Sequence, residues 1–278
     1  MLASRARSAQ PALTCRLRFA LHARGGNWRH EVKGYQIFLH SVKQVFGNFG
    51  AAVRISGLLF LVQVFATLFF GRAAMMPGMQ DAMAMPRGGM LLLMFVTLIT
   101  SLWIAVAWHR FILRVEEPQA IVPAFHGQRM LAYLGYSLLL IIIAVIPAVV
   151  FGFLGATIVN ALGNNILTSL IAMLIVLVPV LLITLRLCAV LPAAALGEPL
   201  GLRGAWDATG GTTVDFLILA VVATVASFAI DLPMFLFMGA MPLAMGWALV
   251  TAWLKMMVSA SILTMIYGHY VERRSLAA

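Results

Sequence analysis

The sequence predicts an all-α fold, a polytopic transmembrane helical bundle of six spans preceded by an interfacial amphipathic helix. Of the 278 residues, 63% are hydrophobic and only 10% are charged, whereas about a quarter of the residues in a soluble domain are charged. Long apolar runs separate the charged residues, and such runs are typical of helices surrounded by lipid. The composition therefore excludes a water-soluble globular domain.

Residues 1–34 are predicted to be a basic N-terminal tail that is disordered, or that is an artefact of a start codon placed too far upstream. The segment carries six arginines before residue 30 and has no acid before Glu31. It lacks the continuous apolar core of a secretory signal. An organellar transit peptide has a similar composition and is the alternative interpretation, but the rest of the chain favours a bacterial protein.

Residues 35–54 are predicted to form an amphipathic helix. Apolar side chains recur at steps of three and four, which places them on one helical face: Tyr35, Phe38, Leu39, Val42, Val45, Phe46, Phe49 and Val53. Polar side chains, among them His40 and Lys43, occupy the rest of the helix surface. A helix with a cationic polar side directly before a span is expected to lie in the membrane interface.

Six spans are expected within residues 55–270, and residues 271–278 are expected to form a cytoplasmic C-terminal tail. The spans cover approximately residues 55–70, 90–112, 130–159, 166–185, 216–236 and 242–267. No charged residue lies between Arg129 and Arg186. Because about 20 residues cross the hydrocarbon, we expect Asn160, Gly163, Asn164 and Asn165 to divide this stretch into two spans.

The distribution of basic residues predicts the orientation. Of the 19 lysines and arginines, 16 fall on the side of the N-terminus, Arg72 and Arg87 fall on the other side, and Lys255 lies within a span. Such an asymmetry predicts a multi-pass protein with both termini in the cytoplasm. It also explains the net charge of +10 without nucleic-acid binding. Trp108 and Tyr267, near span ends, are expected to belong to an aromatic belt.

Lys255 is the first candidate site residue, because a bare cation near the middle of a span costs at least ~3 kcal/mol on insertion scales. Small and polar residues form one stripe on each of the last two spans: Ala220, Thr224, Ser227 and Asp231 on the fifth, and Ala248, Ala252, Lys255 and Ser259 on the sixth. If these spans are antiparallel about a turn near residue 243, Asp231 faces Lys255 and Ser227 faces Ser259. We therefore predict a close hairpin with a buried Asp231–Lys255 ion pair.

Three interpretations of this site remain open. The pair stabilises helix packing, it acts as a proton or ion relay, as intramembrane charges often do, or Lys255 alone lines a water-filled cavity.

A second candidate site is a charge network in the cytoplasmic loops. Arg110 is followed by Glu116 and Glu117 after the second span, and Arg186 is followed by Glu198 after the fourth. Solvated interfacial charges are the favoured interpretation, and the alternative is a network in which Arg186 pairs with one of these glutamates. No metal-ligand spacing, phosphate loop or nucleophile elbow occurs in the sequence, so we expect no cofactor and no enzymatic activity.

The segment after the fourth span resembles a recurring pattern in bacterial six-span membrane proteins. The matching positions are Arg186, Pro192-Ala193, Glu198, Ala205-Trp206, Thr209 and Gly211, with Gly210 where the pattern has a basic residue. The family comprises the membrane domain attached to some glycerophosphoryl diester phosphodiesterases and its stand-alone relatives. The segment around 38–48 and Trp108-His109-Arg110 look like alphaproteobacterial members. The resemblance implies a bacterial inner-membrane protein, and the phosphodiesterase activity belongs to a separate soluble domain.

Two functions are therefore expected. The first is a non-enzymatic scaffold or accessory protein associated with membrane lipids and other envelope proteins. The second is a small transporter or permease that uses the polar site around Asp231 and Lys255. A continuous polar cavity at this site would favour transport, and a dry, packed interface would favour the scaffold.

Overall fold

The chain is a multi-pass all-α membrane protein, as the composition predicts. The computed structural model describes residues 33–70, 87–116, 122–237 and 239–275, and every regular element in these ranges is a helix. Six helices are long and apolar enough to cross a membrane. The predicted N-terminal tail lies outside the described residues except at its end.

Nine helices and one π-helical turn occur in the described residues. They are α1 (Lys33–Gly47), α2 (Phe49–Phe70), α3 (Arg87–Arg114), α4 (Gly127–Leu162), α5 (Ile166–Leu187), α6 (Val190–Leu196), α7 (Leu202–Ala208), α8 (Thr213–Leu236), α9 (Met241–Ile266) and the π turn (Tyr267–Val271). The six spans correspond to α2, α3, α4, α5 with α6, α8, and α9 with the π turn.

The amphipathic helix is shorter than predicted, because α1 ends at Gly47 and the first span begins at Phe49 instead of residue 55. Asn48 separates the two helices, and its side-chain amide donates to the carbonyl of Gln44 at 2.9 Å. Glycine and asparagine favour a helix less than most residues do, and Gly47-Asn48 with Gly50 places three of them together. The break lets α1 and α2 take different directions.

The face that α1 buries also differs from the predicted apolar face. Its buried residues are Gly34, Ile37, Ser41 and Val45, whereas Tyr35 and Phe46 are about half exposed. The helix is therefore docked on the protein through a narrow stripe and turns most of its large apolar side chains outward or towards a cavity. An apolar periodicity alone does not distinguish a face against protein from a face against lipid.

The third and fourth spans form an antiparallel hairpin. Gly163, with φ +84°, ends α4, and Asn165 caps α5 by accepting from the backbone N–H of Leu167 and of Thr168. The turn between the two spans therefore lies where the sequence predicts it. Near the hairpin turn Gly155 packs so closely on α5 that a Cβ there would lie 3.3 Å from the Ala172 side chain.

The core lies at the end of the bundle where α6 is inserted. Residues 187–196 are all buried, and α6 contacts α3, α4 and α9. Arg110, Arg114 and Arg129 surround its C-terminus (Arg110 donates to the carbonyl of Ala195 at 3.2 Å). We call this part of the bundle the arginine-rich end.

The interpretation of Trp108 and Tyr267 as an aromatic belt is wrong. Trp108 is completely buried and Tyr267 is 3% exposed. The indole Nε1 of Trp108 donates to the hydroxyl of Ser261 at 2.9 Å. Position near a helix end could not reveal this burial, because the helix ends are themselves covered by α1 and α6.

Candidate functional site

The first candidate site is the ion pair between the last two long helices. Lys255 Nζ on α9 lies 2.5 Å from Asp231 Oδ2 on α8, the pairing that the antiparallel register predicts. The distance is that of a charge-assisted hydrogen bond. Next to it the indole Nε1 of Trp247 donates to the carbonyl of Ile230 at 2.9 Å, which fixes α9 against α8.

The pair is not buried in the bundle as expected. The Lys255 side chain is 35% exposed and the Asp231 side chain is 45% exposed. The last two long helices contact each other, but small residues on the facing stripes leave the ion pair partly exposed. Ser227 and Ser259 line the same cavity of about 110 Å³, so the two stripes meet at a small cavity, in agreement with their predicted register.

Two cavities meet at this site. One, of about 330 Å³, is lined by Thr224, Ser227 and Asp231 together with apolar residues of α5 and α8. The other, of about 110 Å³, is lined by Lys255 and Ser259 together with apolar residues of α1, α8 and α9. The five predicted site residues thus lie around one junction. Most of the surrounding surface is apolar, and this suits an acyl chain better than a path for water.

The second candidate site is at the arginine-rich end, where two ion pairs link helices to loops. Arg110 binds Glu116 through two contacts, with its Nε donating to Oε2 at 2.8 Å. Arg114 pairs with Glu198. The hydrogen bond from Arg110, and next its positive charge, lower the pKa of Glu116 below the usual range, although partial burial opposes the shift. Glu117 lies outside the described residues.

Arg186 does not pair with a glutamate of the described structure, so the alternative network around it is not found among these residues. Its guanidinium carbon lies 3.6 Å from the centre of the Trp206 ring, and its Nη2 donates to the Trp206 carbonyl at 3.1 Å. The Thr209 hydroxyl lies within hydrogen-bonding distance of the carbonyls of Arg186, at 3.1 Å, and Ala205, at 2.9 Å. The short helix α7 therefore folds back on α5 and places the Trp206 ring against the Arg186 guanidinium.

These contacts give a physical reason for the spacing that carries the family resemblance. Arg186, Trp206 and Thr209 form one cluster with the buried Ala205. The arginine at the span end contacts the tryptophan 20 residues later through its guanidinium face and through Nη2, although its buried Nε has no hydrogen-bond partner. The pattern thus corresponds to the contacts of Arg186 with Trp206 and Thr209 that hold α7 on α5, which we call the clasp.

Sequence reasoning missed a fully buried polar cluster around His109. The Thr264 hydroxyl donates to the carbonyl of Ala260, so it accepts from His109 Nδ1 at 2.8 Å. The Tyr133 hydroxyl then faces His109 Nε2 at 3.4 Å. Thr264 and Ser261, three residues apart on one face of the sixth span, were the available signal, since polar residues on one side of an apolar helix need partners.

No group of three or more His, Cys, Asp or Glu side chains with metal-binding geometry occurs in the described part of the chain. Neither a family model, nor a curated protein, nor a solved structure matches the chain. The resemblance to the phosphodiesterase-associated membrane domain therefore stays a prediction.

Proposed function

We propose that this multi-pass protein is a lipid-associated scaffold or accessory protein of the bacterial inner membrane, without catalytic activity and with both termini in the cytoplasm. The single observation that carries the proposal is the docking of α1. The helix is held on the bundle by Gly34, Ile37, Ser41 and Val45, and it presents basic and large apolar side chains on its remaining surface. An amphipathic helix of this kind binds at the interface of a membrane with anionic lipids.

The α1 side chains support a fixed position in the interface. Phe38, Val42 and Phe46 line the cavity that holds Lys255, towards the middle of the bundle. His40 and Lys43 line a different cavity with Gly268 and other residues beyond the end of α9. The apolar side of α1 is therefore turned to the membrane centre and its polar side to the arginine-rich end, which positive-inside reasoning assigns to the cytoplasm.

The buried polar groups also support a structural role. The side chains of Trp108 and His109 are hydrogen-bonded to Ser261 and Thr264 respectively. Such satisfied contacts stabilise packing between helices.

The proposal is tested by extracting the tagged full chain from bacterial membranes in polymer nanodiscs and analysing the lipids by mass spectrometry. We expect enrichment of anionic phospholipids over the bulk membrane. The enrichment should be lost in Gly34→Ala, which displaces α1, and kept in Gly47→Ala, where an added Cβ meets nothing within 4 Å. A lipid composition equal to that of the bulk membrane in the wild type contradicts the proposal.

A second candidate function is transport, favoured by the half-exposed Asp231–Lys255 pair at the junction of two cavities. The test is proton flux into proteoliposomes that contain a pH-sensitive dye. Transport coupled to this pair predicts flux above that of protein-free liposomes, with loss of flux in Lys255→Met. Equal flux in liposomes with and without the protein rules out this form of transport.

A further inference from the structure

A cavity of about 340 Å³ separates α1 from the ends of α3 and α9. It differs from the two cavities at the ion pair because polar residues form much of its wall. The lining residues are His40, Lys43, Gln44, Ile112, Leu113, Thr264, Met265, Gly268, His269, Arg274 and Ser275. We propose that this cavity binds the phosphate group of an anionic membrane phospholipid, an inference that rests on the proposed lipid-associated function.

The positive charge of the cavity comes from Lys43 and Arg274. Lys43 is exposed and makes no ion pair with another described residue. The Arg274 guanidinium is oriented by two contacts, one from Nε to Glu272 Oε2 at 2.6 Å and one from Nη2 to the carbonyl of Leu113 at 3.0 Å. Only the contact to Leu113 is a hydrogen bond, since Glu272 Oε2 has no hydrogen-bond partner, so one of the five N–H donors is used. Because Glu272 balances Arg274, Lys43 leaves the cavity net positive.

Two histidines, His40 and His269, line the cavity and make the same kind of hydrogen bond. His40 Nδ1 donates to the carbonyl of Gln36 at 2.8 Å, and His269 Nδ1 donates to the carbonyl of Arg274 at 3.0 Å. A carbonyl oxygen only accepts, so in each ring the proton lies on Nδ1 and Nε2 remains for a ligand. With the proton on Nδ1, Nε2 is an acceptor and suits a hydroxyl donor of a lipid headgroup.

Gln44 favours a headgroup that also carries a donor. Its Oε1 is buried and has no hydrogen-bond partner, and an unsatisfied buried acceptor is costly. A hydroxyl of a glycerol headgroup would satisfy it. The cavity therefore fits a phosphodiester lipid with a hydroxylated headgroup, such as phosphatidylglycerol, better than phosphatidylcholine.

The apolar part of the lining identifies the phosphate as one of a lipid. Ile112, Leu113 and Met265 border the cavity and offer a surface for the first carbons of an acyl chain. The cavity also lies on the polar side of α1, where lipid phosphates are found if α1 occupies the membrane interface. A soluble phosphate would gain nothing from the apolar wall.

The test is native mass spectrometry of the purified full chain with phosphatidylglycerol or phosphatidylcholine added. We expect a preference for phosphatidylglycerol, reduced about fivefold in Lys43→Gln, since one basic residue near a membrane surface contributes about this factor. Met265→Trp, which fills the cavity, should lose the preference as well. Arg203→Gln is the matched control, because it removes one positive charge from a side chain that is 97% exposed, and it should retain the preference.

Three results would overturn the inference. The first is a preference for phosphatidylglycerol in Lys43→Gln as strong as that of the wild type. The second is a loss of this preference in Arg203→Gln as large as that in Lys43→Gln. The third is displacement of the lipid by millimolar inorganic phosphate, which would identify the ligand as a soluble anion. If the wild type prefers phosphatidylglycerol and Lys43→Gln prefers it equally, the site is wrong and the lipid-associated function stands. If the wild type shows no enrichment in native nanodiscs, the function itself fails.

Discussion

Gly34 on α1 lies directly against the backbone of Asp215 on α8: a Cβ atom at position 34 would be 1.9 Å from the Asp215 carbonyl oxygen. The same Cβ would also be 2.9 Å from the backbone nitrogen of Leu219. Only glycine permits this approach, because neither backbone atom can move without displacing α8. The contact holds the start of the amphipathic helix on the bundle.

We predict that Gly34→Ala destabilises the protein by about 1–3 kcal/mol, the usual cost of an added methyl group in a packed contact. The measurement is the thermal unfolding temperature in detergent. Gly47→Ala on the same helix is the control and should leave the temperature unchanged or slightly raised, because alanine favours a helix more than glycine does. Equal unfolding temperatures for the two variants would mean that α1 is not docked through Gly34.

The Asp231–Lys255 pair predicts a non-additive effect of substitutions. Asp231→Asn or Lys255→Met alone leaves one charge without its partner in apolar surroundings, whereas the double variant leaves none. We expect the double variant to be more stable than the sum of the single effects indicates, by about 1–3 kcal/mol. Unfolding temperatures and abundance in native membranes measure this difference.

Two other results would contradict this prediction for the Asp231–Lys255 pair. Additive effects would show that the two charges do not interact in the membrane. Loss of folding in Asp231→Asn, with Lys255→Met unaffected, would assign Asp231 a different partner.

The number of spans and the existence of the ion pair could be predicted from the sequence, because both depend on helical periodicity and on the cost of a charge in lipid. Asp231 and Lys255 are the only oppositely charged residues near facing positions of their two spans, so the register alone paired them. Their exposure could not be predicted, since it depends on how far apart α8 and α9 lie, and small side chains on the facing stripes are compatible with close contact or with a cavity.

The contacts at the arginine-rich end could not be predicted for a different reason. The sequence places Arg186 within reach of several glutamates and of Trp206, and charge alone favours a glutamate. The choice depends on α7 folding back over α5, which is a tertiary arrangement. The burial of Trp108 and His109 likewise depends on α9, whose Ser261 and Thr264 are more than 150 residues away in the chain.

Glu116 predicts a dependence of stability on pH. Arg110 lowers the pKa of Glu116 in the folded protein relative to its ordinary value of 4.5, so the folded state favours the carboxylate. The resulting stabilisation is complete above this ordinary pKa and is lost as the pH falls through the lower folded pKa. We expect the unfolding temperature of the wild type to fall more between pH 5 and pH 3 than that of Glu116→Gln.

The control for this prediction is Asp207→Asn, because Asp207 lies 3.9 Å from Arg203 and its side chain is 69% exposed. This variant should retain the pH dependence of the wild type. If the unfolding temperature of the wild type falls with pH by as much as that of Glu116→Gln, the Arg110–Glu116 pair does not form in solution.

The clasp between Arg186 and Trp206 predicts that a conservative change of charge is not tolerated. Arg186→Lys keeps the positive charge but loses the planar group that lies over the indole and donates to the Trp206 carbonyl. We expect it to lower stability by about 0.5–2 kcal/mol, measured as the unfolding temperature, and Trp206→Leu to lower it at least as much. Arg203→Lys on the neighbouring α7 should change stability by less than about 0.5 kcal/mol. If Arg186→Lys is as stable as Arg203→Lys, the arginine acts only as a charge at the membrane edge.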